Sequence, residues 1–345
     1  MKTIMPDGAD SVFFPEVAKP ELFKDAALCR VTHGIISAGT ERGIILACKG
    51  KSREQIQQAN NRLGYTGAGI VEDVNGDLGL SKGQRVAFYG APYVSHSEYL
   101  CVPKHLIYPI PDNCSNESAT FCGLGAIAMH GLRQGHPTLG EICVVSGMGL
   151  IGNLCAQMAL LTGCRVIVSD FEASRLNLFK ESVPENADYL AVSPDQLNEA
   201  VADITHNIGA DKVYLCMSTR SADPMEQALQ QVRRGGQIIV VGVLDIHISR
   251  EPFFMKEATV TISRAGGPGR YDPGYEKDGY DYPYQYIRWT EGRNVEESLR
   301  LIASGKLNVS KLVSGRYPID KATEAYDQVV NGKPALGFVL DWGVL

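Results

Sequence analysis

Over the first third of the chain, hydrophobic and polar positions alternate with a period of two. Runs such as AALCRVTHGII, AGIVEDV, RVAFYG and SEYLCVP, separated by Gly, Pro, Asn and Asp, predict short half-buried β-strands. The polar stretch KGKSREQIQQANNR (49–62) interrupts them as an exposed loop or short helix. From residue 118 the period lengthens: FCGLGAIAMHGLRQG has helical spacing, EICVVSG reads as a buried strand and LIGNLCAQMALLTG as a helix. CRVIVSD, the helical ASRLNLFKESV, DKVYLCMS, the helical MEQALQQVRRG and GQIIVVGV repeat the alternation. Strand alternating with helix at this length predicts βαβ units in a doubly wound parallel sheet. Beyond residue 265 comes a Gly/Pro/Tyr-rich segment, GGPGRYDPGYEKDGYDYPYQYIRW, then a helical VEESLRLIASG and a closing strand ALGFVLDW. The expected class is therefore α/β in three stretches: β-rich 1–117, βαβ-type 118–265, and a return segment 266–345.

Composition narrows what such a chain does. Its 345 residues suffice for two cores. The net charge of −6, with no Lys/Arg cluster able to track phosphates, argues against nucleic acid. No run approaches a membrane span, and MKTIMPDGADSVFF lacks the apolar core of a signal peptide. The nine cysteines are odd in number and never spaced Cys-x-x-Cys, which predicts reduced thiols, a cytoplasmic setting and no cysteine-rich zinc lobe.

The first chemistry-bearing motif is ICVVSGMGLIG (142–152), where Gly147, Gly149 and Gly152 form G-x-G-x-x-G between a strand and a helix. The first glycine permits a tight turn, the second a close approach of a pyrophosphate, the third close helix–strand packing. Met148, Leu150 and Ile151 complete the turn. The next strand ends at Asp170, where a carboxylate accepts ribose hydroxyls and repels a 2′-phosphate, so NAD is the expected cofactor. Arg175 is a mild counter-signal toward NADP. Met217, Val241–Val243 (with Gly242) and Ser263–Ala265 (with Arg264) are expected to border the nicotinamide.

With these segments in order, the chain resembles the medium-chain dehydrogenase/reductase family over nearly its whole length. The residues carrying the likeness are SAGTERG (37–43), GYTGAGIVEDV (64–74), HSEYLCVP (96–103), LGAIAMHGLRQ (124–134), the GMGLIG turn, SRAGGPGRYDPGY and RWTEGRN. Within the family the likeness is to bacterial sugar- and polysaccharide-linked oxidoreductases. The resemblance implies a GroES-like catalytic domain plus a Rossmann domain, with the active site between them. It also places the family's zinc ligands near Ser37, at Tyr65 and Thr66, and near Phe121–Gly123, where Cys122 alone could ligate. Serine, tyrosine and threonine are poor zinc ligands, so a metal-free pocket is expected.

Without a metal, a side chain has to take the alcohol proton. His96 is the first candidate, since histidine is the residue type suited to proton transfer at neutral pH and this one starts a strand after a Gly/Pro loop. A loop histidine capping backbone groups explains it equally well. Tyr65, supported by Thr66, and Thr40 are the other proton-handling candidates; Glu41 would orient the base or bind a substrate hydroxyl. On the substrate side, residues 271–289 hold six of the fifteen tyrosines and Trp289. Tyr271, Tyr282, Arg288 and Trp289, with Ser37 and Thr66, would bind a polyhydroxylated ring, apolar on its C–H face and polar at its rim. The same segment also suits a homodimer or homotetramer interface. The expectation is a zinc-independent, NAD(H)-dependent oxidoreductase for a secondary alcohol on a sugar, glycoside or cyclitol. Three alternatives stay open: a redox-neutral epimerase or lyase retaining NAD, a zinc-free quinone or enoyl reductase, and a non-catalytic NAD-binding protein.

Overall fold

The structure, a computed structural model, describes residues 1–332 and 336–343. It divides into two compact units: Met1–Gly123, Pro268–Gly305 and Leu312–Leu345 form one, and Leu124–Gly267 with Lys306–Lys311 the other. Among the described residues no helix is long and apolar enough to cross a membrane.

In the first unit the alternating runs form a sheet. Its path runs Val313–Pro318, Gly337–Asp341, Ala26–Ser37, Thr66–Asn75, Arg85–Tyr89, Ile107–Pro109, with Tyr99–Pro103 also pairing on Ala26–Ser37. The pairings are antiparallel except between Val313–Pro318 and Gly337–Asp341. Ala335, which opens the closing-strand motif ALGFVLDW, lies outside the described residues. One apolar cluster (Val31, Val71, Val86, Phe88, Leu100) fills the interior of this sheet. Another (Ile36, Ile45, Leu63, Tyr326, Phe338, Leu340) packs the helices Ala38–Ala47 and Ala322–Asn331 against it. That second cluster fixes where the long strand stops, at Ser37, and where the helix carrying Thr40 and Glu41 begins.

The second unit is a parallel sheet in the order Tyr189–Val192, Arg165–Ser169, Ile142–Ser146, Ala210–Leu215, Val232–Val240, Thr259–Ile262. Counted along the unit this is 3-2-1-4-5-6, and the order reverses beside the strand that leads into the glycine turn, where such sheets bind ligands. Both outer strands escaped the pattern: Tyr189–Val192 and Thr259–Ile262 are short edge strands without clean alternation. The helix expected through MEQALQQVRRG stops at Gln231, because Val232–Val240 already pairs with its neighbour, around an irregularity that includes Gly235 at φ 68. Asn308 draws Lys306–Lys311 into this unit. Its carbonyl accepts from the Gln157 amide at 3.0 Å and its N–H donates to Gln157 Oε1 at 2.8 Å.

Thr66, expected to face a substrate, is buried instead. Its Oγ1 donates to the Thr120 carbonyl (2.8 Å) and accepts from Gly123 N–H (3.2 Å), fastening the strand Thr66–Asn75 to the chain entering the helix Cys122–Gly135. Thr66→Val keeps the shape and strands both backbone groups, so it is expected to lower stability by about 1–3 kcal/mol in urea denaturation. An unchanged midpoint would contradict this role.

Candidate functional site

In the second unit the chain leaves the strand Ile142–Ser146 through Gly147 at φ 90; a Cβ there would lie 2.7 Å from Met217 N. A Cβ on Gly152 would meet the Gly147 carbonyl at 1.9 Å, so the turn and the helix Leu150–Leu161 pack as closely as backbone allows. Gly149 is the N-cap, without a side-chain cap and with open space where a Cβ would sit. The first N–H groups of this helix therefore lack a side-chain cap and lie beside open space at Gly149, which suits a phosphate. Met217 and Gly242 press together, since a Cβ on Gly242 would lie 1.9 Å from Met217 O. Val243 N–H donates to that carbonyl, and Ser263 N–H to Val240 O. The structure thus gathers Met217, Val241, Gly242, Val243 and Ser263 at the C-terminal ends of neighbouring strands, with Arg264 and Ala265 directly following. These residues fit a dinucleotide.

Asp170 departs from expectation. Its Oδ2 accepts from Met148 N–H (2.7 Å) and lies 3.3 Å from Arg175 Nη1, while Oδ1 accepts from Glu172 N–H (2.9 Å). The carboxylate therefore braces the glycine turn and shares its charge with Arg175, which softens the repulsion of a 2′-phosphate that the bare acid would exert.

In the first unit Ser37, Thr40, Glu41, Tyr65 and His96 come together. Tyr65 donates to Ser37 Oγ at 2.8 Å and bonds Thr40 as well. Burial pushes its phenol up to about 12, opposed by the Ser37 bond and reinforced by nearby Glu41. Glu41 turns inward: Oε1 accepts from Ser37 N–H (2.8 Å), and Oε2 accepts from Tyr326 O–H (2.5 Å) and lies 3.3 Å from His96 Nε2. His96 is 1% exposed and wedged between glycines; a Cβ on Gly34 or Gly64 would come within 2.6 Å of its ring. His96 and Glu41 are therefore internal partners and do not meet a substrate, contrary to the roles expected of them. Tyr326 escaped sequence reasoning because nothing local distinguishes it from a core tyrosine.

The aromatic segment also belongs to this unit. Arg270 forms a short contact with Glu276, donates to Ala91 O (2.6 Å) and stacks 4.0 Å from the Tyr271 ring centre. His105, Tyr275 and Tyr282 stack in a row, at 4.4 and 5.6 Å. The Tyr282 hydroxyl is held by Asp272, and Arg288 lies 3.7 Å from the Trp289 ring centre. Both pairs stabilise the segment itself; of the residues expected to bind substrate, Ser37 bonds Tyr65 directly and Tyr271 reaches it through Arg270 and Tyr89. Glu291, fully buried beside Arg270 and Glu276, was missed; burial, opposed by Arg270 and reinforced by Glu276, pushes its carboxyl up to about 9.

The family described as zinc-binding dehydrogenase matches residues 151–276. D-arabitol-phosphate dehydrogenase of Enterococcus avium is 26% identical over 69% of this chain, which spans 61% of that enzyme. A sorbitol dehydrogenase from Halalkalibacterium halodurans is 25% identical over 69% of the chain and 63% of its own length. The chain thus spans under two thirds of either relative. The alcohol dehydrogenase TADH from Thermus sp. ATN1 superposes with a TM-score of 0.78 at 22% identity, over 99% of each chain, which establishes the two-part α/β fold. All three relatives are dehydrogenases. A zinc centre needs about three good nitrogen, thiolate or carboxylate donors. Among the described residues no three of His, Cys, Asp and Glu converge. Cys122 Sγ has the Thr66 hydroxyl at 3.5 Å and the Phe88 carbonyl at 3.7 Å as neighbours, and neither is a good zinc donor. These donors do not fit zinc.

A carboxyl raised to about 9 in the fold but near 4.3 when unfolded keeps its proton only in the native state over that interval. This contribution to stability is complete below the lower value and is lost as pH rises toward the upper one. Glu291→Gln is expected to flatten the decline in urea stability between those limits; an unaltered pH dependence would contradict the buried neutral carboxyl.

Proposed function

We propose that this chain is a medium-chain dehydrogenase that interconverts a secondary alcohol and a ketone on a sugar, glycoside or cyclitol, with NAD(H) and without a catalytic metal. The observation that carries the proposal is the Tyr65–Ser37 hydrogen bond, at 2.8 Å, on positions where the resemblance puts zinc ligands. Two hydroxyls there supply a proton path in place of a Lewis acid. The relatives named for arabitol phosphate and sorbitol support a polyol substrate.

A bound nicotinamide would supply the hydride acceptor or donor. Gly147, Gly149, Gly152 and the helix N-terminus would hold its pyrophosphate, and Asp170 with Arg175 its adenosine ribose. Tyr65 carries the proton. Raised to about 12, its phenol is protonated at neutral pH; its single O–H turns from Ser37 Oγ to the oxygen of a ketone and gives up its proton as that oxygen becomes an alkoxide, the Ser37 hydroxyl then donating to the phenolate. In the reverse direction the phenolate is the base, so alcohol oxidation speeds up as pH rises. Thr40, exposed and bonded to Tyr65, links the phenol to solvent, while Ser37 fixes its direction. A homodimer or homotetramer is part of the proposal. The edge strand Thr259–Ile262 leaves Ile262 exposed, and Phe254 and Met255 of the preceding helix are exposed too, a pattern that edge pairing with a second copy covers.

Tyr65→Phe is expected to lower kcat by roughly 10²–10⁴-fold with nucleotide affinity unchanged; wild-type-like turnover would remove Tyr65 from the chemistry. Fluorescence titration is expected to give tighter binding of NADH than of NADPH, and the opposite order would overturn the cofactor assignment.

A further inference from the structure

We infer that Tyr271 is the specificity-determining platform that selects a cyclic over an open-chain polyol, and that Arg270, Glu276 and Glu291 are its positioning residues. The inference rests on the polyol function proposed above.

Tyr271 sits at φ 65, in the left-handed region an aromatic residue rarely adopts, between Gly269 at φ 99 and the Asp272 turn. Such a backbone persists only where its surroundings over-determine it. Here Glu276 Oε1 accepts from Tyr271 N–H at 2.9 Å and from Arg270 Nη1. Arg270 is in turn anchored by the Ala91 carbonyl at 2.6 Å, with Glu291 behind its Nε at 4.0 Å. Arg270, Glu276 and Glu291 are all buried, yet the Tyr271 they hold is 56% exposed. Burying three ionisable groups around a surface ring does nothing for the core. It does set the direction of that ring.

The direction matters because of what lies behind it. The Arg270 guanidinium is 4.0 Å from the Tyr271 ring centre and 5.8 Å from that of Tyr89, which meets Tyr65 edge-on at 6.1 Å. One row of groups thus links the exposed ring to the proton-carrying hydroxyl. The cation covers one face of Tyr271 and orders the ring as a flat surface. A pyranose or cyclitol presents a flat array of axial C–H bonds to such a surface, whereas an open-chain polyol rotates and presents none.

The test compares myo-inositol and methyl glucoside with sorbitol and arabitol as substrates for the wild type, Tyr271→Ala, Tyr271→Phe and Glu276→Gln. Tyr271→Ala is expected to raise KM for the cyclic substrates by roughly three- to tenfold, with kcat and the open-chain KM unchanged. Tyr271→Phe should behave as wild type and Glu276→Gln as Tyr271→Ala. Equal effects on both substrate classes, or a loss confined to kcat, would overturn the inference. Tyr271 is exposed, so its variant remains informative if Glu276→Gln does not fold. Should the wild type turn over no polyol, the proposed function falls. Calorimetric binding of myo-inositol to the NADH complex then decides the platform separately: weaker binding in Tyr271→Ala supports it, and equal or absent binding overturns it.

Discussion

Glu41 is a fully buried carboxylate, and a charge in that position is tolerated only with partners at every oxygen. Two of its partners, the Tyr326 hydroxyl and the His96 imidazole, come from distant parts of the first unit, and the third, Ser37 N–H, lies four residues before it. The long strand's end, the C-terminal helix and the loop before Tyr99–Pro103 are thereby pinned at one point. Ser37 cannot drift, so the Tyr65 hydroxyl that bonds it has one direction. Removing either His96 or Tyr326 would leave the carboxylate short of a partner and loosen the hydroxyl pair from behind.

The same device recurs twice. Asp170 accepts from Met148 N–H and steadies the glycine turn. Glu276 accepts from Tyr271 N–H and steadies an exposed aromatic ring. In each case a carboxylate accepts from a backbone amide and fixes the segment beside it. Charge-assisted bonds to backbone N–H are among the stronger ones available to a fold. They hold loops where packing alone would leave a choice of conformations.

Features with a local cause were legible in the sequence. The glycine spacing after ICVVS and the alternation of strand with helix each follow from period and turn chemistry within a few residues. Features with a tertiary cause were not. His96 looked like a loop base because its burial depends on Gly34 and Gly64, far away in sequence, and the missing Cβ atoms there were the available signal. Thr66 looked like a pocket residue because its partners, Thr120 and Gly123, arrive from another segment. Arg270, ahead of the tyrosine-rich stretch, and Glu291, the first residue of the helix Glu291–Ala303 after it, are polar, and no pattern of alternation marks them as buried.

The proposed function rests on the chemistry of the donors: hydroxyls stand at Ser37 and Tyr65, and among the described residues no three of His, Cys, Asp and Glu converge. Without a metal, such a pocket would have to polarise the reacting oxygen by hydrogen bonds from a protonated phenol. The most direct measurement is turnover of a polyol by protein whose zinc content is determined on the same sample, before and after a strong chelator. The account predicts full activity with zinc far below one per chain and no response to chelation or to added zinc. Stoichiometric zinc whose removal abolishes turnover and whose return restores it would contradict it.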